Sequence, residues 1–117
     1  MVIYLYCGRL LSLKRNPILF TKIGSDAGSV AWVGKRSILR IDANIDSGEY
    51  PDGGCVTEVY TNPDPLKYVE LETMGALLKI GTGGQIRRTT VYTLLPRREQ
   101  DTEFDAKMYP FESECVG

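Results

Sequence analysis

Short runs rich in β-branched and aromatic residues, each cut off by glycine, proline or Asn/Asp corners, recur along the whole chain, and no segment carries a long apolar i, i+3, i+4 pattern. This rhythm leaves little room for helix and predicts an all-β antiparallel sandwich. The candidate strands are Val2 to Cys7, Ile18 to Ile23, Ser29 to Val33, Ser37 to Ile41, Cys55 to Tyr60, Tyr68 to Thr73, Leu77 to Ile80 and Gln85 to Leu94. Between them stand Gly24-Ser25-Asp26-Ala27-Gly28, Pro51-Asp52-Gly53-Gly54, Asn62-Pro63-Asp64-Pro65 and Gly81-Thr82-Gly83-Gly84. Glycine supplies positive φ at such corners and proline presets φ. The tight corner at Gly34, between Ala31-Trp32-Val33 and Ser37-Ile38-Leu39, reads as an antiparallel hairpin.

A chain of 117 residues suits one domain, which buries about two-thirds of its unfolded surface without needing disulfides or metal. Residues 1–117 are therefore read as a single domain. Residues 96–117 form its acidic C-terminal extension, where Glu99, Glu103 and Lys107 have the i, i+4 spacing of one short helix.

Charge and composition remove several classes of function. Fourteen basic against fifteen acidic residues leave a net charge of -1, with no excess to neutralise a phosphate backbone, so nucleic acid is not an expected partner. Arg9 and Lys14 interrupt the apolar start before it could serve as a signal or a span, so no membrane partner is expected and the chain reads as cytoplasmic. Cys7, Cys55 and Cys115 are odd in number and lack CxxC spacing, which argues against a disulfide framework and a zinc site. The chain has no histidine, so imidazole ligands and His-dependent nucleophile systems are excluded. No metal and no cofactor are expected. The glycine corner at Gly81 lacks the Lys-Ser and helix that a phosphate cradle needs, and the corner at Pro51 lacks the acidic spacing of a calcium loop.

Alternation along Tyr68 to Thr73 puts Tyr68, Glu70 and Glu72 on one face and Val69, Leu71 and Thr73 on the other. Two carboxylates and an aromatic therefore line one surface. The same residues can also be a solvated strand face neutralised by Arg87 or Arg88. Trp32, Tyr60, Tyr68 and Tyr92 have a similar double reading, as core residues or as a platform for the C–H face of a pyranose.

Three segments in order carry a family resemblance. They are Gly24 to Asn44; Tyr50-Pro51-Asp52-Gly53-Gly54-Cys55 followed by Glu58-Val59-Tyr60-Thr61-Asn62; and Val69-Glu70-Leu71-Glu72-Thr73 followed by a Gly-rich turn and Thr89-Thr90-Val91-Tyr92. Together, over roughly residues 18–95, they resemble the C-terminal half of the galactose mutarotase (aldose 1-epimerase) sandwich, most closely its uncharacterised relatives. Thr82-Gly83-Gly84 stands where that family usually has Pro-Gly-Glu, and Ala76 where proline is common.

The resemblance implies a possible carbohydrate ligand, with Tyr68, Glu70, Glu72 and Arg88 as the ligand-binding candidates and Glu72 as the counterpart of the family's catalytic base. It also implies an incomplete active site, because the family's histidine proton donor comes from strands this chain does not match. A chain holding only the later strands of a larger sandwich would expose apolar faces and edges, so a homodimer or swapped assembly is expected, with Met1 to Leu13 and the closing strands supplying contacts. The expectation is a non-catalytic carbohydrate-binding protein. The alternatives are a self-associating scaffold that has lost the sugar site and, third, an enzyme working with carboxylates alone.

Overall fold

A computed structural model describes residues 2–5, 9–63, 65 and 68–98 of the chain. Apart from one four-residue turn its regular structure is all strand: β1 Val2–Leu5, β2 Arg9–Ser12, β3 Thr21–Ser25, β4 Ser29–Val33, β5 Ser37–Ala43, β6 Thr57–Thr61, β7 Val69–Thr73 and β8 Thr90–Pro96, with α1 at Pro51–Gly54. The strands form two sheets, as the all-β sandwich class expects, ordered β2-β1-β4-β5-β8 and β3-β6-β7. The described residues gather into two compact units. One draws on Met1–Arg15, Ser29–Asp42 and Val91–Gly117, the other on Asn16–Gly28 and Ala43–Thr90. Among the described residues no helix is long and apolar enough to cross a membrane.

In the first unit β4 lies between β1 and β5 and pairs antiparallel with both. Its small and β-branched apolar residues suit a central strand: Val30, Ala31 and Val33 are buried together with Ile38 and Ile41 of β5. Val30 lies opposite Ile41 on one face and Val33 opposite Ile38 on the other, so this pair of strands buries apolar residues on both faces. The hairpin at Gly34 forms as the sequence predicts, closed by the Gly34 N–H donating to Ser37 O at 2.9 Å. A Cβ at Gly34 would collide with the Trp32 ring, so the corner needs glycine for room.

The second unit is built on β6, flanked by β3 and β7 in antiparallel register. Thr57, Val59 and Thr61 form the buried row of β6. Beside the sheet, Tyr50, Val56 and Ala76 form a small core against which Met74 packs, and the Tyr50 hydroxyl accepts the Asp46 N–H at 2.8 Å.

Several strand expectations shift. Leu77 to Ile80 is not a strand: among the described residues no strand pairs with it, and Leu77, Leu78 and Ile80 are exposed. The strand expected from Ile18 begins at Thr21, because Asn16 Oδ1 accepts the N–H groups of Ile18 and Leu19 at 2.8 and 3.0 Å and folds that stretch into a turn. The strand expected from Gln85 starts at Thr90, and Arg9–Ser12 is a strand that the sequence reading did not contain. The helix expected over Glu99 to Lys107 lies outside the described residues, as do Cys7 and Cys115.

Candidate functional site

The antiparallel register of the three-stranded sheet assembles a second face opposite the buried Thr57-Val59-Thr61 row. Lys22 of β3, Tyr60 of β6 and Glu70 of β7 lie side by side in one rank, and Gly24, Glu58 and Glu72 in the next. Residues directly opposite each other in an antiparallel pair project to the same side, so the six share one surface. At one end the strands lead into Phe20 and Tyr68. The Phe20 and Tyr60 rings are 6.3 Å apart and the Tyr60 and Tyr68 rings 6.5 Å apart, both pairs tilted. These distances are those of interacting aromatics, so the three rings form a row. The Tyr68 hydroxyl accepts the Asn62 side-chain amide at 2.6 Å, which orients its ring. Phe20 and Tyr68 remain exposed.

The other end is ionic. Lys22 Nζ lies 2.8 Å from Glu58 Oε2 and 3.0 Å from Glu72 Oε2, bridging two carboxylates on neighbouring strands. Glu58 is almost fully covered, with 2% of its side chain exposed, whereas 29% of Glu72 and 45% of Lys22 reach solvent. Like charges opposite each other across strands repel, and Lys22 is the cation that makes the Glu58–Glu72 pairing tolerable. Hydrogen bonds to Glu58 and then Glu72 push the Lys22 ammonium well above the usual lysine range, so it stays charged.

Beyond the ionic rank lies the Pro51–Gly54 turn. The Cys55 N–H donates to Pro51 O at 3.0 Å, but Asp52 at φ 53° and Gly53 at φ 75° are left-handed, so α1 is a corner, as the sequence reading has it, and not a helix. The Asp52 carboxyl is raised above its usual range, first by a hydrogen bond with Glu58 and then by the Glu58 charge. Cys55 donates its thiol to Asp52 O at 3.1 Å. Desolvation, then the charges of Glu58, Asp52 and Asp26, push this thiol up, which keeps it protonated and a poor nucleophile.

The candidates named from the sequence separate into two groups. Tyr68, Glu70 and Glu72 lie together on the sheet face, with Glu70 exposed and, among the described residues, not paired with a cation. Arg88 is elsewhere. It is not on a strand, and its guanidinium donates to Asn44 O at 2.9 Å and to Asp46 Oδ2 at 3.3 Å. The cation that neutralises Glu72 is Lys22, which the sequence reading did not single out, and the buried Glu58 was missed with it. Of the four aromatics considered as a platform, Tyr60 and Tyr68 adjoin, with Phe20 as an unforeseen third. Trp32 and Tyr92 belong to the other unit.

Among the described residues no group of His, Cys, Asp and Glu side chains is arranged to hold a metal ion. Comparisons with protein-family models, with curated proteins and with solved structures give no match to this chain.

Proposed function

We propose that the face formed by Phe20, Lys22, Tyr60, Tyr68, Glu70 and Glu72 is a non-catalytic carbohydrate-binding surface. The observation that carries this reading is the adjacency of an aromatic row to a rank of ionised side chains. Each of the two tyrosine rings offers an apolar face for the C–H side of a pyranose, while carboxylates and an ammonium beside them take up ring hydroxyls. The resemblance of residues 18–95 to the mutarotase sandwich points the same way. Glu72, the counterpart of the family's base, has one oxygen engaged by Lys22. A base held in an ion pair is poorly placed to take a proton from substrate, which favours binding over turnover.

A protein-observed NMR titration with a panel of aldoses tests the proposal. Shifts confined to residues 20–24, 58–62 and 68–72 are expected, and they should vanish in Tyr60→Ala. Binding that is unchanged in Tyr60→Ala, or shifts confined elsewhere, contradicts it.

A second reading, a self-associating scaffold, draws on β8. This strand contains no charged residue and leaves Tyr92 67% and Leu94 72% exposed at the end of the strand order. Long uncharged edges promote pairing with another chain. Sedimentation at high micromolar concentration is its test: a homodimer that Tyr92→Lys dissociates supports it, and a strict monomer contradicts it.

A further inference from the structure

The charges on the sheet face do not balance. Lys22 is shared by Glu58 and Glu72, which leaves these three side chains one negative charge in excess, and Glu70, across from Tyr60, adds another. Glu70 differs in kind from the other two carboxylates. It is exposed, no described cation pairs with it, and it lies directly across from Tyr60, the central ring of the aromatic row. A ligand lying on Tyr60 therefore meets a free carboxylate at its edge and aromatic faces beneath it. Both features attract a cation: the carboxylate through a charge-assisted hydrogen bond, and the rings through their negative π-faces. An anionic sugar meets the same surface with repulsion, because the one ammonium present is already held between two carboxylates.

Resting on the carbohydrate reading of this face, we infer that its ligand class is sugars bearing a free, protonated amine, with Glu70 as the residue that selects for the ammonium. The pyranose stacks on Tyr60 and Tyr68, and the amine points across the strand pair to Glu70. N-acetylation removes both the charge and two donors, so the acetylated sugar loses the Glu70 contact while keeping the stacking surface. Uronic acids rank last.

The test is a titration of the full chain with glucosamine, N-acetylglucosamine, glucose and glucuronate, in a buffer where the amine is protonated, for wild type and Glu70→Gln. Glu70 holds no described partner, so its amide leaves the fold unchanged, which a denaturation curve checks. The expected result is glucosamine binding about tenfold or more tightly than glucose and N-acetylglucosamine, the usual scale of a charged hydrogen bond. The preference should disappear in Glu70→Gln. Neutral sugars that bind as tightly as glucosamine, or a preference for glucuronate, overturn this inference while leaving a sugar-binding face in place. A glucosamine preference that survives Glu70→Gln overturns the role of Glu70. Binding of none of the four overturns both the inference and the carbohydrate reading.

Discussion

Lys22 and Glu58 pair diagonally between β3 and β6, one rank apart, with Nζ 2.8 Å from Oε2, and 2% of the Glu58 side chain is exposed. A buried carboxylate without its cation is costly, so Lys22→Met should destabilise the fold and the double variant Lys22→Met, Glu58→Gln should recover part of the loss. The proton on Lys22 is held more tightly in the folded chain than in the unfolded one. Its contribution is therefore complete below the ordinary lysine value of about 10.4 and is lost as pH climbs through the raised one. Urea midpoints of wild type and Lys22→Met should differ by a constant amount up to about pH 10 and converge above it. A difference that shrinks with rising pH well below that range contradicts the pairing.

Asp52 is a carboxyl whose pH dependence runs in the same direction as that of Lys22. Its hydrogen bond with Glu58 raises its pKa, so the folded chain keeps the proton longer than the unfolded one. Stability from this group is full below the ordinary aspartate value of about 3.9 and falls as pH rises through the folded value. Asp52→Asn removes that penalty and suits the left-handed φ of 53°. The variant should match or exceed wild type in stability at neutral pH, with the gain vanishing in acid. A variant less stable than wild type at neutral pH would show that the Asp52 charge is favourable.

Gly24 and Cys55 are coupled through space. A Cβ on Gly24 would fall well inside contact distance of Cys55 Sγ and 3.3 Å from Cys55 Cβ. Gly24→Ala should cost about 1–3 kcal/mol, the usual range for overpacking. Cys55→Ala in the same chain should return most of it. A double-mutant cycle measures the coupling, and additive effects would mean that the thiol simply swings aside.

Asp42 is a carboxylate held in ionised form. Burial pushes its pKa up, but hydrogen bonds from Arg40 and Ser29 outweigh it and the net direction is down. Arg40 contacts it twice, Nε to Oδ2 at 2.7 Å and Nη2 to Oδ1 at 3.0 Å. A depressed carboxyl stabilises above its ordinary value, about 3.9, and loses that contribution as pH falls through the folded one. Asp42→Asn should cost about 1–2 kcal/mol at neutral pH. The difference from wild type should close on acidification, and a difference that widens in acid contradicts the assignment.

The hairpin around Gly34 was legible in the sequence because Ser29 to Val33 and Ser37 onward are flanked by unambiguous turn chemistry. The Tyr68-Glu70-Glu72 face was legible from alternation alone. Leu77 to Ile80 misleads because four apolar-rich residues look like a strand whether or not a partner strand exists. Lys22 and Glu58 were hidden for a related reason: which residues oppose each other depends on register between strands far apart in the chain, and neither residue is unusual in its own segment. Nor does composition mark the two units, since the chain passes between them at several points without a linker-like stretch.

The Tyr60 face of the three-stranded sheet is proposed to take up a sugar. The most direct measurement is the NMR titration of wild type and Tyr60→Ala with glucosamine and glucose. Shifts at Phe20, Lys22, Tyr60, Tyr68 and Glu70 that saturate in wild type and are absent in Tyr60→Ala are expected. Saturating shifts that persist in Tyr60→Ala, or no shifts with either sugar, contradict the proposal.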